Sequence, residues 1–170
     1  MVATILLAAA VAVALPDRHV RSTDSVIQGV LARGQEQSPT LRRLVEVLDR
    51  SDVIVYLEMQ QRRHEFGAYL SHHIVIAGGN RYLRVKLRAA GPLAQMAARI
   101  AHELQHAVEV AQSPDARDVE SVQRLFRQIG LSTACDPSRC FEAPAFETQA
   151  ALDVQHAVRS EIAEARRAVR

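Results

Sequence analysis

Cysteine is scarce in this sequence, which has only Cys135 and Cys140, in the segment ACDPSRCF. Two thiols with no histidine near them in the chain argue against a zinc site built from cysteine. A local disulfide between Cys135 and Cys140 is expected if the chain is exported, since exported proteins meet an oxidising compartment. The alternative is a pair of free thiols on a loop.

Long apolar runs are also lacking. The run MVATILLAAAVAVAL at residues 1–15 is shorter than the roughly 20 residues of a membrane-spanning helix. It is better explained as a signal peptide cleaved after Ala14, because Ala12-Val13-Ala14 has the small-x-small pattern, although no basic residue precedes the run. A buried first helix, a short membrane anchor and a misassigned start are the alternatives. We therefore expect a secreted or periplasmic protein with no membrane span in the mature chain.

Clustered positive charge is absent as well. The formal net charge is only +2, and the 21 basic residues, all arginine except Lys86, are scattered along the chain. This distribution gives no reason to expect a nucleic-acid partner. The chain also lacks internal repeats, low-complexity tracts and linkers, so residues 16–170 are expected to form a single domain.

Hydrophobic residues recur at helical spacing in several stretches that are bounded by capping residues, glycine or proline. Gly34 is expected to end the first helix, and Ser38 to cap a second one with Pro39 in its first turn. Pro144 is expected to open a long, alanine-rich final helix. The predicted helices cover residues 18–36, 38–51, 91–113, about 116–129, and 144 to nearly 170.

Between residues 53 and 88 the pattern changes to that of β-strands. One strand is predicted at 53–57, and a hairpin is predicted where 74–76 and 82–88 flank the turn Ala77-Gly78-Gly79-Asn80. In the second hairpin strand, alternation directs three residues to the core, namely Leu83, Val85 and Leu87, and three to solvent, namely Arg84, Lys86 and Arg88. The sequence therefore predicts an α+β fold with a small antiparallel sheet.

The segment HELQH matches the pattern H-E-x-x-H on the helix predicted at 91–113. Residues four apart lie on one helical face, so His102 and His106 can reach one metal ion. Glu103 is offset from that face, so it can contact a zinc-activated water and act as its general base. The residue types and spacing thus predict a zinc centre with a base beside it.

The rest of that helix supports this interpretation. One stripe is apolar and would pack on the core; its members are Leu93, Ala97, Ile100, Leu104, Val108 and Ala111. His102 and His106 fall on the opposite face. The alternative is that both histidines face solvent and pair with nearby carboxylates.

A catalytic zinc needs a third protein ligand and an open fourth position. The extended pattern H-E-x-x-H-x-x-G-x-x-H is excluded, because Glu109 and Gln112 occupy the positions of its glycine and last histidine. A carboxylate from elsewhere must then serve. The candidate acids are Glu109, Glu142, Glu147 and Asp153.

Glu147 is the preferred third ligand among these acids. In a final helix that begins before it, Glu147 would share the core-facing side with apolar residues, namely Ala151, Val154, Val158 and Ile162. A carboxylate placed there needs a partner, and a metal is one. Asp153 points away from that side, Glu142 lies in the preceding loop, and Glu109 is better suited to hydrogen-bond a ligand. The alternative for Glu147 is an acid that favours the helix dipole.

AHELQHAVE followed by a helical FETQAA resembles the gluzincin branch of the zincin metallopeptidases, whose third ligand is a glutamate on a downstream helix. The resemblance implies a zincin-like fold, with Zn2+ bound by His102, His106 and Glu147, with Glu103 as the base, and with a peptide or protein as substrate. The resemblance covers two segments of the chain, and the chain is smaller than the two-domain members of that branch. The wider pattern of SDVIVYLE, RYLRVKLR, AHELQHAVE and FETQAALD also resembles a group of small exported bacterial proteins.

The zincin resemblance implies two further parts of a substrate cleft. In that fold a strand at the sheet edge pairs with extended substrate, and segment 81–88 is the candidate. A side chain that stabilises the oxyanion is also expected, and the sequence does not select among Tyr69, Tyr82, His72, His73 and His156. His156 is a poor candidate ligand, because it lies about 180° from Glu147 around the predicted helix.

The leading hypothesis is a zinc metallopeptidase that hydrolyses peptide bonds. The alternative is a catalytically inactive, zincin-like exported binding module in which the metal site is structural or vestigial.

Overall fold

A computed structural model describes residues 18–60, 68–88, 91–131 and 146–168. In these ranges the chain forms five β-strands, which are β1 (Val20–Arg21), β2 (Val53–Met59), β3 (Ala68–Leu70), β4 (Val75–Ala77) and β5 (Asn80–Leu87). It also forms five helices, which are α1 (Ser25–Gln37), α2 (Pro39–Asp49), α3 (Leu93–Ala111), α4 (Val119–Ile129) and α5 (Gln149–Ala168). The predicted signal peptide, the Cys135–Cys140 pair and Glu142 lie outside the described residues. No helix in the described ranges is both long and apolar enough to cross a membrane.

The strands form one mixed sheet in the order β1-β2-β5-β3, and β4 also pairs with β5. β2 runs parallel to both β1 and β5, whereas β3 and β4 run antiparallel to β5. The α+β class is therefore confirmed, but the predicted antiparallel sheet was wrong. The reason is topological, because α1 and α2 carry the chain back along the sheet before β2 and so make β1 and β2 parallel.

β5 has strand neighbours on both sides, so the prediction that segment 81–88 forms a sheet edge was also wrong. Its pairing with β2 joins distant segments, and the local pattern shows only the hairpin with β4. The hairpin itself is confirmed, since Ala77 pairs with Asn80 and the turn glycines Gly78 and Gly79 have φ of 57° and 83°. In the described ranges, β3 and β4 form the sheet edge beyond β5.

The two faces of the sheet differ, as the alternation in β5 predicts. The face toward the helices carries the buried apolar residues of β2 and β5, namely Val53, Val55, Leu57, Leu83, Val85 and Leu87. On the other face Tyr56 stacks on Tyr82, and Glu58 pairs with Lys86. The sheet therefore has one helix-covered face and one polar face.

Arg81 is the charged exception on the helix-covered face, and it is only 1% exposed. Its Nη1 donates hydrogen bonds to three carbonyl oxygens around the end of α3, those of Val110, Ser113 and Ala116. Its Nε and Nη2 donate to the Asp52 carboxylate at 2.8 and 2.7 Å. Arg81 thus satisfies carbonyl groups that a helix C-terminus leaves unpaired, and it fixes the end of α3 to the sheet.

Gly34 does not end the first helix as predicted, because α1 continues to Gln37. A Cβ atom at Gly34 would lie 2.7 Å from Leu41 Cδ2, so the glycine permits close packing of α1 on α2. Ser38 is confirmed as the cap of α2, since its side chain accepts a hydrogen bond from the Leu41 backbone.

The final helix begins at Gln149, later than the predicted start at Pro144, which lies outside the described residues. Glu147 and Thr148 are not helical. Thr148 Oγ1 accepts a hydrogen bond from Ala151 N at 3.2 Å, the contact of an N-cap, and so marks the start of the helix. Glu147 therefore precedes the helix instead of lying on its face.

α3 is the central helix of the domain. The middle of its predicted apolar stripe is buried, with Ala97, Ile100, Leu104 and Val108 at most 4% exposed, and the two ends, Leu93 and Ala111, are half-buried. The opposite face, which carries His102 and His106, is covered as well, because α5 packs along α3 more extensively than any other helix does. The histidines therefore point into a space between elements.

Candidate metal centre

The three predicted ligands converge on one point. Nε2 of His102 lies 3.3 Å from Oε1 of Glu147, and Nε2 of His106 lies 3.9 Å from the same oxygen. The three ligand atoms all lie within 4.8 Å of one another. Ligand atoms that share a tetrahedral zinc with bonds of 2.0–2.1 Å are about 3.3 Å apart. Small adjustments would therefore bring all three onto one ion.

The two sides of this centre differ in exposure. His102 and His106 come from the middle of α3, where their side chains are 13% and 6% exposed. The Glu147 side chain is 30% exposed, so the centre is accessible to solvent on the side from which this carboxylate enters. An ion bound there could keep one position open to a small molecule.

Glu109 holds the ring of His106 from behind. Nδ1 of His106 lies 2.9 Å from Oε2 of the buried Glu109. An ionised carboxylate can only accept, so Nδ1 carries a hydrogen, and in the neutral ring Nε2 is then the nitrogen with a lone pair for a metal. Glu109 is thus placed to orient a ligand, as the sequence suggests.

Glu103 lies beside the centre and is not one of its three ligands. The Leu70 backbone N–H donates a hydrogen bond to its carboxylate. Directly after β3, Ser71 N donates a hydrogen bond to Arg84 O of β5. Because backbone groups alternate in direction along a strand, the Leu70 N–H points away from β5 and toward Glu103. The carboxylate is thereby held at the edge of the sheet.

The electrostatics of the centre favour a bound cation. Burial, with the charge of His106, lowers the pKa of His102 to about 4, so His102 is neutral at pH 7. Burial and the charge of Glu147 raise the pKa of Glu103 to about 7, against the opposing effects of His106 and the Leu70 N–H. Burial by itself would lower the pKa of His106. Its hydrogen bond to Glu109 and the charges of the surrounding carboxylates raise the pKa by more than burial lowers it, so the net shift is upward. The centre thus has three carboxyl groups, those of Glu103, Glu109 and Glu147, beside two imidazoles, and this excess of acidic groups favours a bound cation.

Thr148 is a residue of the centre that the sequence did not select. Its backbone N–H donates to Glu147 Oε1 at 3.1 Å, and its Oγ1 donates to Glu109 Oε1 at 2.7 Å. The available signal was a threonine directly before an alanine-rich helical run, which is typical of an N-cap. That signal would have shortened the predicted helix and taken Glu147 out of it.

Aromatic rings close one wall of the centre. The ring of Phe126 from α4 lies 5.3 Å from that of His106 and 5.9 Å from that of His72. Phe146 stacks beside Phe126 at 6.0 Å and lies 5.6 Å from His72. His72, from the segment between β3 and β4, therefore belongs to the surroundings of the metal centre.

The other proposed oxyanion donors lie elsewhere. Tyr82 stacks on Tyr56 on the polar face of the sheet. Tyr69 pairs in register with Lys86, which places its side chain on that same face. His73 and His156 are exposed. Of the five candidates, the structure brings only His72 to the centre.

Asp153 is also separate from the centre. It is exposed, and it accepts a hydrogen bond from Gln149 at 2.7 Å. This agrees with its low rank as a third ligand. Glu142 lies outside the described residues, so the structure compares Glu147 only with Glu109 and Asp153.

Comparison of the chain with protein-family models, with characterised proteins and with solved structures found no match.

Proposed function

We propose that this protein is a zinc-dependent metallopeptidase of the zincin type, with His102, His106 and Glu147 as the ligands of Zn2+ and Glu103 as the general base. The observation that carries the proposal is the convergence of two imidazole nitrogens and one carboxylate oxygen beside a second, buried carboxylate, that of Glu103, which is not a ligand. Structural ion pairs rarely need this combination, whereas a catalytic zinc centre does.

The donor set suits zinc. Zinc accepts nitrogen and oxygen ligands in tetrahedral geometry, and its catalytic sites have three protein ligands and one open position. The buried cluster has more carboxylates than cations among the described residues, so a divalent cation would balance its charge. Glu109 directs Nε2 of His106 toward the ion, and His102 is neutral at pH 7 and so needs to lose no proton to bind it. His106 has a raised pKa, so a metal would have to displace a proton from its ring and would bind more tightly as the pH rises.

Glu103 would carry the proton transfers. A zinc ion at this centre would polarise a substrate carbonyl group and lower the pKa of a water molecule toward ~7. The Glu103 carboxylate would accept the proton that the attacking water loses and deliver it to the nitrogen of the departing amine. In the metal-free protein the pKa of Glu103 is about 7, and the charge of a bound zinc ion would lower it, so the carboxylate would be ionised and able to act as a base near neutral pH.

The edge strand β3 offers a place for an extended substrate. β3 pairs with β5 on one side, and no strand of the described ranges pairs with its other side. The Leu70 N–H on this edge is taken by Glu103, so a peptide that pairs with the other backbone groups of the edge would lie beside the general base. β3 thus takes the role that the sequence assigned to segment 81–88.

The test uses the full chain and a fluorogenic, unfolded polypeptide. The zinc-loaded protein should hydrolyse the polypeptide, a chelator should stop hydrolysis, and added zinc should restore it. Glu103→Gln should still bind zinc and should lower kcat by about 10²–10⁴-fold. Glu46→Gln, on an exposed position of α2, is the matched control and should keep full activity.

Two outcomes would contradict the proposal in different ways. A chain that binds no zinc at micromolar metal would remove the metal centre. Zinc binding with no hydrolysis, or with hydrolysis that Glu103→Gln leaves unchanged, would remove the peptidase and favour a metal-containing binding module.

A further inference from the structure

Thr148 contacts both halves of the metal centre. Its backbone N–H donates to Oε1 of Glu147, the same oxygen that faces the two histidines. Its hydroxyl donates to Oε1 of Glu109, whose other oxygen holds His106. Thr148 therefore connects Glu147, which precedes α5, to His106 on α3, the second of these through Glu109.

The hydroxyl of Thr148 is also committed at the start of α5. It accepts a hydrogen bond from Ala151 N, so the position of the hydroxyl is tied to the first turn of the helix. Thr148 is 3% exposed and Glu109 is 8% exposed, so water competes little for the bond between them. Both carboxylate oxygens of Glu109 have protein partners.

We infer that Thr148 is a positioning residue which, through its hydroxyl bond to Glu109, sets Glu147 and His106 at the spacing that a metal ion requires. This inference depends on the proposed metal centre. Without the bond, α5 would still pack on α3, but Glu147 and His106 would lose the connection that fixes them relative to each other. Groups that orient metal ligands in this way typically change metal affinity by about 10–100-fold when they are removed.

Ser38 provides a matched control within the chain. It caps α2 as Thr148 caps α5, because its Oγ accepts from Leu41 N at 3.0 Å and donates to a carboxylate on another helix, that of Glu161. Ser38 makes these contacts at the start of α2, outside the metal centre. A loss that comes from weakened capping or helix docking should therefore appear in Ser38→Ala as well.

The experiment measures zinc affinity by competition with a chromogenic chelator, and the thermal unfolding of the metal-free protein, for four full-length chains. These are the wild type, Thr148→Val, Thr148→Ser and Ser38→Ala. Valine keeps the shape of threonine without the hydroxyl, and serine keeps the hydroxyl. We expect Thr148→Val to weaken zinc binding by about 10–100-fold, and both Thr148→Ser and Ser38→Ala to bind zinc like the wild type. Thr148→Val and Ser38→Ala should both lower the unfolding temperature of the metal-free protein.

The possible results separate this inference from the proposed function. Failure of the wild type to bind zinc would overturn the metal centre itself, and this inference with it. Tight zinc binding by the wild type together with unchanged affinity in Thr148→Val would overturn only the role of Thr148. An equal loss of affinity in Ser38→Ala would also overturn it, since the effect would then come from helix stability.

Discussion

Nε2 of His102 lies 3.3 Å from Oε1 of Glu147, although one residue lies in the middle of α3 and the other precedes α5. α5 packs along α3, and Thr148 contacts both Glu147 and Glu109 next to this pair. It makes the carboxylate of Glu147, and not that of Glu109, the acid that faces both Nε2 atoms. The two acids should therefore respond differently to substitution.

Glu147→Ala should lower zinc affinity by more than about 100-fold, because it removes a ligand. Glu109→Ala should lower it by about 10–100-fold, because it removes only the hydrogen-bond partner of a ligand. Asp153→Ala, at an exposed position of α5, should leave the affinity unchanged. Chelator competition gives all three values. Equal losses for Glu147→Ala and Glu109→Ala would argue against Glu147 as the third ligand.

Glu103 should make the metal-free protein less stable as the pH rises. Its pKa is about 7 in the folded chain and is ordinarily 4.5, so between these values the folded state holds a proton that the unfolded state has lost. Stability therefore falls as the pH rises from 4.5 to about 7, and it stays reduced above pH 7. Glu103→Gln needs no proton there and can still accept the Leu70 N–H. It should be about 1–3 kcal/mol more stable than the wild type at pH 8, and similar to it at pH 4.5.

Urea unfolding of the chelator-treated proteins at both pH values measures this difference. Glu46→Gln, which changes an exposed glutamate, should show no gain at pH 8. If Glu103→Gln is no more stable than the wild type at pH 8, then Glu103 is not the buried acid that this structure describes. The same variant would combine a gain in stability with a loss of hydrolysis, as expected for a residue kept for catalysis.

Features that depend on residues close together in the chain were predictable from the sequence. Features that depend on distant segments were not. His102 and His106 were predictable because their relationship is one helical turn, and the Gly78-Gly79 hairpin because its two strands are adjacent. The parallel pairing of β2 with β5 was not predictable, because it depends on how distant segments assemble. Glu147 was chosen by assuming a helix that in fact begins after it. Glu147 nevertheless lies with His102 and His106, although it precedes α5 instead of lying on its face.

Arg81 shows a different limit of the sequence. Alternation along β5 places Arg81 on the same face as Leu83, but a charged residue at a core-facing position gives no indication of its partners. These partners are carbonyl groups at the end of α3 and the carboxylate of Asp52, which no local pattern connects to β5. The role of Arg81 therefore becomes clear only from the folded structure, which shows the end of α3 beside it.

Arg81→Lys should destabilise the domain by about 3 kcal/mol. Lysine has three donors in place of five and cannot span both Asp52 and the carbonyl groups of α3, so buried acceptors would lose their partners. Arg84→Lys, three residues along the same strand and on the polar face, is the control and should change stability little. Thermal or urea unfolding at pH 7 measures both. A small effect for Arg81→Lys would mean that solvent replaces these contacts.

The partner of Arg81 should add a dependence on acidic pH. The hydrogen bond from Arg81, with its charge, lowers the pKa of Asp52 below its ordinary value of 3.8, although partial burial opposes this. The stabilisation is therefore fully present above that ordinary value, and it is lost as the pH falls through the lower, folded-state value. Asp52→Asn should be less stable than the wild type at pH 7, and the difference should shrink below pH 4. A difference that is constant across this range would exclude the charge of Asp52 as its source.

His72 is the residue expected to stabilise the oxyanion, since it alone of the five candidates lies at the metal centre. His72→Phe keeps a ring of similar shape against Phe126 and Phe146 but removes both nitrogens. We expect kcat for polypeptide hydrolysis to fall by about 100-fold while zinc affinity stays unchanged, because the donor acts on the substrate and not on the metal. His73→Phe, at the exposed neighbouring position, is the matched control and should keep its activity. Equal rates in the two variants would exclude His72 as the donor, and a loss of zinc affinity in His72→Phe would show that its ring supports the ligands instead.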